Sequence, residues 1–247
     1  MKLTVIGCGD AFGSGGRFNT CFMIDALNKR LLLDCGASSL VALKARNVDL
    51  NSIDGVMLSH LHGDHFGALP FFLLDSQFLA RREKPLSIVG PPGTKARLTA
   101  AMEAFFPDSS KTKWRFALEV GEVTPDVPDE ILGLAVRTTP VIHHSGAPST
   151  AVRLSDGQKT LTYSGDTEWT DALIPIADGA DLFVCECYEY ARDHTGHMSF
   201  AKLKEKRALF NARRVLLTHM NPNMLARMDE ARHEGFLVAE DGLTLDV

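Results

Sequence analysis

The segment Ser59-His60-Leu61-His62-Gly63-Asp64-His65 follows directly on the apolar run Val56-Met57-Leu58, and no other stretch restricts the fold as much. A buried strand that ends in three imidazoles and a carboxylate must leave its sheet where those side chains find partners, because ionisable groups beside a core are costly alone. In a loop leaving a strand, His60 and His62 point the same way. Gly63 permits a tight turn, after which Asp64 and His65 face a second point nearby. One ion cannot easily use all four side chains from so short a segment, whereas two can. Neutral imidazole and carboxylate are donors for Zn²⁺, and Mn²⁺ or Fe²⁺ accept the same set. Polar loop histidines without a metal are the alternative, and so dense a run of donors weighs against it. The expectation is a metal-dependent hydrolase with two metal ions, Zn²⁺ foremost.

Such a site needs donors from elsewhere, and strand ends are where they are presented. His143 follows Thr139-Pro140-Val141-Ile142, with His144 as its neighbour. Asp166 follows Leu161-Thr162-Tyr163-Ser164-Gly165, and His219 follows Val215-Leu216-Leu217-Thr218. Taken singly, each reads as a capping or surface residue. Taken with the first motif, they become candidate ligands.

The rest of the chain sets bounds. Its 247 residues are 45% apolar and 23% charged, ordinary for a soluble globular protein and enough for a large core. No stretch approaches the ~18 uninterrupted apolar residues of a membrane span. The N-terminal MKLTVIGCGDAFGS reads as a first strand rather than a secretory signal, so the expected compartment is cytoplasmic. The net charge of −5 gives no bulk affinity for nucleic acid. The basic clusters at residues 81–84 and 202–207 read as solvated loop and helix surface. The five cysteines are an odd number in a long chain, which argues against a disulfide framework. Cys185 and Cys187 read as small hydrophobes on a strand.

Strand and helix signals alternate without a long linker, so one α+β or α/β domain with mixed sheets is expected over residues 1–247. Thr20 to Asp25 and Arg30 to Asp34 flank an Asn28-Lys29 turn. Ala68 to Leu79, Thr94 to Phe106, Phe200 to Asn211 and Asn223 to Gly235 read as helices. Both halves run from hairpin strands into strand-helix units, which hints at two similar halves packed face to face. The Gly7 to Gly16 stretch lacks the spacing of a nucleotide-binding loop and reads as a flexible loop beside the site. For Arg17 and Asn19 a phosphate contact and a loop-packing role are equally open.

These residues match a family. The chain resembles the metallo-β-lactamase fold superfamily, and within it the ribonuclease Z-like branch of phosphodiesterases. The motifs are Leu33-Asp34-Cys35-Gly36, the His60 to His65 segment, Pro140-Val141-Ile142-His143, Ser164-Gly165-Asp166-Thr167 and Leu217-Thr218-His219. The resemblance implies a four-layer αββα sandwich with the site at one edge of both sheets. It implies one metal on His60, His62 and His143, a second on Asp64, His65 and His219, and Asp166 bridging them. Asp34 would orient a ligand or the metal loop. Glu186 and Gly196-His197-Met198-Ser199 match the branch's features, which implies that His197 protonates the leaving oxygen while Glu186 holds its other nitrogen. Homodimers are common among similar proteins.

One departure stands out. Ribonuclease Z enzymes carry a long arm that grips transfer RNA between the lone histidine and the bridging aspartate. Here residues 144–165 are nearly consumed by two strands and a turn, which weighs against transfer RNA and leaves phosphodiester chemistry in place. In that chemistry the metals acidify a water for in-line attack, Asp64 accepts a proton, and His197 supplies one. Hydrolysis of an ester, thioester or lactam by the same metals is the alternative. A binding or oxygen-sensing module on this fold comes third. The expected partner is a phosphodiester or small-molecule substrate, with no membrane.

Overall fold

Alternation along the strands decides the layers. The computed structural model describes residues 1–247. Strand β1 is Lys2–Gly7, β2 Cys21–Ala26, β3 Lys29–Leu33, β4 Gly55–Met57, β5 Leu86–Gly90, β6 Leu118–Glu122 and β7 Asp129–Ile131. Then come β8 at Leu134–Pro140, β9 Thr150–Ser155, β10 Thr160–Tyr163, β11 Leu182–Glu186, β12 Val215–Thr218, β13 Leu237–Val238 and β14 Thr244–Asp246. In β3, Leu31 and Leu33 join one apolar cluster and Leu32 another. In β11, Leu182 and Val184 join the first cluster, while Phe183 and Cys185 join a third. Side chains of opposite parity leave a strand on opposite faces, so both strands are buried on both sides.

The first cluster takes residues from both sheets and forms the seam between them. The second lies under α1 (Ser39–Ala45), α2 (Gly63–Phe66), α3 (Leu69–Phe78) and α4 (Thr94–Phe105). The third lies under α5 (Leu173–Ala177), α6 (Phe200–Lys206), α7 (Pro222–Leu225) and α8 (Met228–His233). The result is helix, sheet, sheet, helix, as the family resemblance implies. Truncating an inner residue such as Leu33 to Ala would cost about 2–5 kcal/mol.

Each sheet has seven strands, in the orders β14-β1-β2-β3-β4-β5-β6 and β13-β12-β11-β10-β9-β8-β7. Pairings from β14 through β3 are antiparallel and those from β3 through β6 parallel. The second sheet repeats the scheme, antiparallel from β7 to β10 and parallel from β10 to β13. Both halves therefore do share one plan. β14 returns from the second half to close the edge of the first sheet. No helix is long and apolar enough to cross a membrane.

Several local expectations shift. The β2–β3 turn is Leu27-Asn28, one residue earlier than expected, with both φ positive at 51° and 57°. That is the two-residue turn whose twist matches the strands, and Asn28 tolerates it better than Leu27 does. The expected helix from Asn223 to Gly235 is split into α7 and α8. Arg82, expected on the surface, is fully buried. Its guanidinium donates to the carbonyls of Leu50, Ile53, Lys84 and Pro85, which removes the cost of burying it. All five cysteines are free and buried.

Candidate metal centre

The ends of β3, β4, β8, β10, β11 and β12 converge at one edge of the sandwich. Each delivers one part of the site within a few residues of its last strand position. From the first sheet come Asp34 and the His60 to His65 segment. From the second come His143, Asp166, Glu186 and His219. His144, the neighbour of His143, stays exposed.

His60, His62 and His143 bring their ring nitrogens together, and Asp64, His65, Asp166 and His219 form a second set, each within 4.8 Å. His143 Nε2 lies 2.9 Å from His62 Nδ1. Asp166 stands between the sets. Its Oδ2 is 3.2 Å from His65 Nε2 and from His219 Nε2, 3.9 Å from His60 Nε2 and 4.0 Å from His143 Nε2. Asp64 Oδ2 is 3.2 Å from His65 Nε2.

The far nitrogens of four rings are already engaged. His60 Nδ1 is 3.0 Å from Ser59 Oγ, His65 Nδ1 is 2.7 Å from Asp34 Oδ2, His143 Nδ1 is 2.8 Å from Gly196 O and His219 Nδ1 is 3.4 Å from Thr20 Oγ1. Partners of this kind fix the ring and leave Nε2 for the centre. His60 Nε2, His65 Nε2 and Asp166 Oδ1 are buried without a hydrogen-bond partner. Buried polar atoms without partners cost free energy, and divalent ions would satisfy all three. The donor set of imidazoles and carboxylates fits Zn²⁺ and its neighbours. Burial, and then the charge of His65, hold His60 well below the usual imidazole range. Burial acts downward on His65 too, but Asp166, Asp64 and Asp34 together hold it well above that range.

Asp34 earns its place through the backbone. Its φ is 61°, and its carboxylate accepts from Ser59 N at 2.7 Å and Ser59 Oγ at 2.8 Å as well as from His65. His219 also has positive φ, 62°, a strained conformation of the sort that collects at functional sites. Gly63 does not serve as expected: its φ is not positive, and a Cβ there would meet open space. The glycine this loop needs is Gly36, where a Cβ would come within 2.0 Å of Asp64 O.

Beside the ligand cluster, His197 Nδ1 meets Glu186 Oε1. Glu186 is fully buried, and its Oε2 accepts from Thr167 N at 2.8 Å. Burial, and then Asp166, push the Glu186 carboxyl up to about 8. Burial pulls the His197 ring down, but the Glu186 hydrogen bond and charge raise it to about 9. His197 stacks on His219 at 5.7 Å and under Tyr188 at 4.7 Å. The sequence reading assigns no role to Thr20, Ser59 or Tyr188, and names Gly196 only within the motif around His197. Ser59, next to His60, carries a signal that could have found it; Thr20 and Tyr188 carry none.

The Gly7 to Gly16 loop is held rather than flexible. Asp10 accepts from Phe12 N, Ser14 N and Ser14 Oγ at 3.2, 2.9 and 2.6 Å. Arg17 donates to Ala239 O at 2.6 Å, and Asn19 bonds Ser38 and Asp10, so both take the loop-packing role. Between β8 and β9 only residues 141–149 intervene, and no long arm leaves the domain face there.

The family model described as Anti-Pycsar protein Apyc1 matches residues 1–241. The probable metallo-hydrolase YhfI of Bacillus subtilis is 32% identical over 228 residues, covering 89% of this chain and 87% of that protein. A ribonuclease Z of a Mycobacterium species is 29% identical over 195 residues, covering 74% and 67%. The crystal structure of YhfI, a metallo-β-lactamase fold protein, superposes with a TM-score of 0.80 at 25% identity, covering 99% of both chains.

Proposed function

This chain belongs to the Anti-Pycsar protein Apyc1 family of metallo-β-lactamase-fold metallo-hydrolases, and we propose that it is a phosphodiesterase acting on small phosphodiesters. His60, His62 and His143 would hold one ion, Asp64, His65 and His219 a second, and Asp166 would face both. When bound, two such ions supply positive charge that acidifies a water and offsets charge developing on the phosphoryl oxygens.

The observation that carries the reading is the His197–Glu186 pair. An alkoxide leaving group needs a proton as its bond to phosphorus breaks. His197 is placed to hold one, because Glu186 binds its Nδ1 and that hydrogen bond raises the ring's affinity for a proton. Nε2 is then the nitrogen that donates. Asp64 accepts the proton lost by the attacking water. Glu186 also fixes the loop after Asp166 through Thr167 N, so acid and ligand keep one spacing. Ester and lactam cleavage also release a group that takes up a proton, so turnover of the two substrate classes, rather than the acid alone, separates the readings. Transfer RNA is not the favoured substrate, since no arm is present to grip it.

The test is turnover of bis-p-nitrophenyl phosphate and of 3′,5′-cyclic nucleotides by Zn²⁺- or Mn²⁺-loaded protein, beside an ester and a lactam. His197→Ala should lower kcat for the 3′,5′-cyclic nucleotides, whose leaving group is an alkoxide, by about 10²–10⁴-fold, and far less for bis-p-nitrophenyl phosphate, whose nitrophenolate leaves unprotonated. Ester or lactam turnover that exceeds phosphodiester turnover and survives His197→Ala would overturn the reading.

A further inference from the structure

His143 and His197 stand on two different loops. His143 lies on the one between β8 and β9, and His197 on the stretch between β11 and α6. The two loops are not paired with each other as strands are. A metal ligand and an acid so placed need a tie outside the sheets, and the residues that follow Asp166 supply it. Thr167 Oγ1 accepts from Ile142 N at 3.1 Å, and Glu168 N donates to Ile142 O at 3.0 Å. Both polar groups of the Ile142 backbone, immediately before His143, are thereby engaged. The Glu168 side chain then reaches the other loop, where its Oε1 accepts from Gly196 N at 2.7 Å.

Gly196 is thus held at both of its polar groups, its N–H by Glu168 and its carbonyl by His143 Nδ1. The next two N–H groups are engaged as well. His197 N donates to His194 O at 2.9 Å, and Met198 N to Glu186 Oε2 at 3.3 Å. Of the three, the Gly196 bond alone ties this loop to the segment that also grips Ile142. Gly196 is buried, so its N–H would be costly to leave unpaired. A carboxylate is a stronger acceptor for it than a neutral oxygen.

Glu168 belongs to neither ligand set and acts on both histidines through the backbone. One half-buried residue, two positions after Asp166, therefore fixes the peptide before His143 and the peptide before His197. Groups that orient a metal-binding imidazole set how well it ligates. A shift of an ångström in a reacting group is enough to cost much of a rate. A carboxylate that holds both loops at once controls the distance between ligand and acid, which neither loop controls alone.

We propose that Glu168 is a positioning residue that sets the spacing between the metal ligand His143 and the acid His197. Its carboxylate holds Gly196, whose carbonyl aims the His143 ring and whose next residue is His197, while its own N–H holds Ile142 beside His143. The part that concerns His197 rests on the phosphodiesterase reading; the part that concerns His143 does not.

Calorimetric titration of the metal-free full chain with Zn²⁺, in competition with a chelator, tests the hold on His143 without turnover. Glu168→Ala removes the acceptor, and affinity for one of the two ions should fall about 10–100-fold while the other is unmoved. With both ions loaded, its kcat for a 3′,5′-cyclic nucleotide should fall by about 10²-fold with KM unchanged. Glu168→Gln keeps an acceptor oxygen at the same reach and should restore both values. A loop contact that served stability alone would separate neither one ion from the other nor kcat from KM. Glu168→Met keeps the length without the oxygen and serves if the alanine variant is unstable. Wild-type affinity for both ions in Glu168→Ala, equal weakening of both, or a Glu168→Gln variant as defective as Glu168→Ala overturns the proposal. One ion weakened in a chain that turns over no phosphodiester supports the hold on His143 and sinks the phosphodiesterase reading. Phosphodiester turnover with metal binding and kcat untouched in Glu168→Ala does the reverse.

Discussion

His143 Nδ1 donates to the carbonyl of Gly196 at 2.8 Å, so a candidate metal ligand is held by the residue immediately before the proposed acid. Gly196 has φ 82°, and a Cβ there would lie 2.8 Å from that same nitrogen. Gly196→Ala must therefore move either His143 or the His197 loop, besides straining its own backbone by about 1–2 kcal/mol. Affinity for one of the two ions should fall about 10–100-fold, read as metal content after dialysis against a weak chelator. Retention of both ions at wild-type affinity would show that this contact does not orient His143.

The pH dependence follows from the proton on His197. An acid must carry its proton to act, so kcat/KM for a phosphodiester is full at lower pH and falls as pH rises through the ring's pKa. That pKa is raised to about 9 by Glu186, and bound metal charge nearby pulls it downward, so the basic limb should lie below 9. Glu186→Gln removes the charge that raises it, and the limb should move toward the ordinary 6.5 of histidine. A profile unmoved by Glu186→Gln would assign the limb to another group.

Metal uptake should release protons. His65 is held well above the usual imidazole range by Asp166, Asp64 and Asp34, so in metal-free protein at pH 7 it carries a proton that must leave before Nε2 can ligate. His60 lies well below that range and contributes none. Binding heats measured in buffers of different ionisation enthalpy should give at least one proton released per pair of ions, with any further proton coming from an acidified water. Heats that do not depend on the buffer would contradict this account of His65.

Arg82 makes a prediction about stability alone. Replacing it with Met leaves the carbonyls of Leu50, Ile53, Lys84 and Pro85 without their donor, at a cost on the order of 3 kcal/mol. In a chain of this size that lowers Tm by about 6–12 °C. Metal stoichiometry should be unchanged, because Arg82 touches nothing at the site.

The site was legible in the sequence because its residue types are rare after buried strands. The His60 to His65 spacing, and His143, Asp166 and His219 behind their strands, all met at one edge. The four layers followed from the family resemblance, and the two similar halves from the order of hairpins and strand-helix units. What escaped depends on the third dimension. Nothing local marks Thr20 as the partner of His219, since 199 positions separate them. Arg82 reads as solvated because two of its carbonyl partners, Leu50 and Ile53, lie 32 and 29 positions away and reach it only by folding. The Leu27-Asn28 turn was displaced because a leucine at positive φ runs against its own preference, and strand register overrode it. Gly63 was credited with a turn that the onset of α2 makes without positive φ.

The halves of this sandwich contribute to the second ligand set jointly: Asp64 and His65 come from one sheet, Asp166 and His219 from the other. An ion held by these four would be a removable cross-link between parts of the chain far apart in sequence. All five cysteines are free, so no covalent tie does that work. Loading the ions would stabilise the folded chain by binding it alone, where a disulfide acts by restricting the denatured chain, and withdrawing them would unfasten the seam between the sheets at the edge where the substrate must enter.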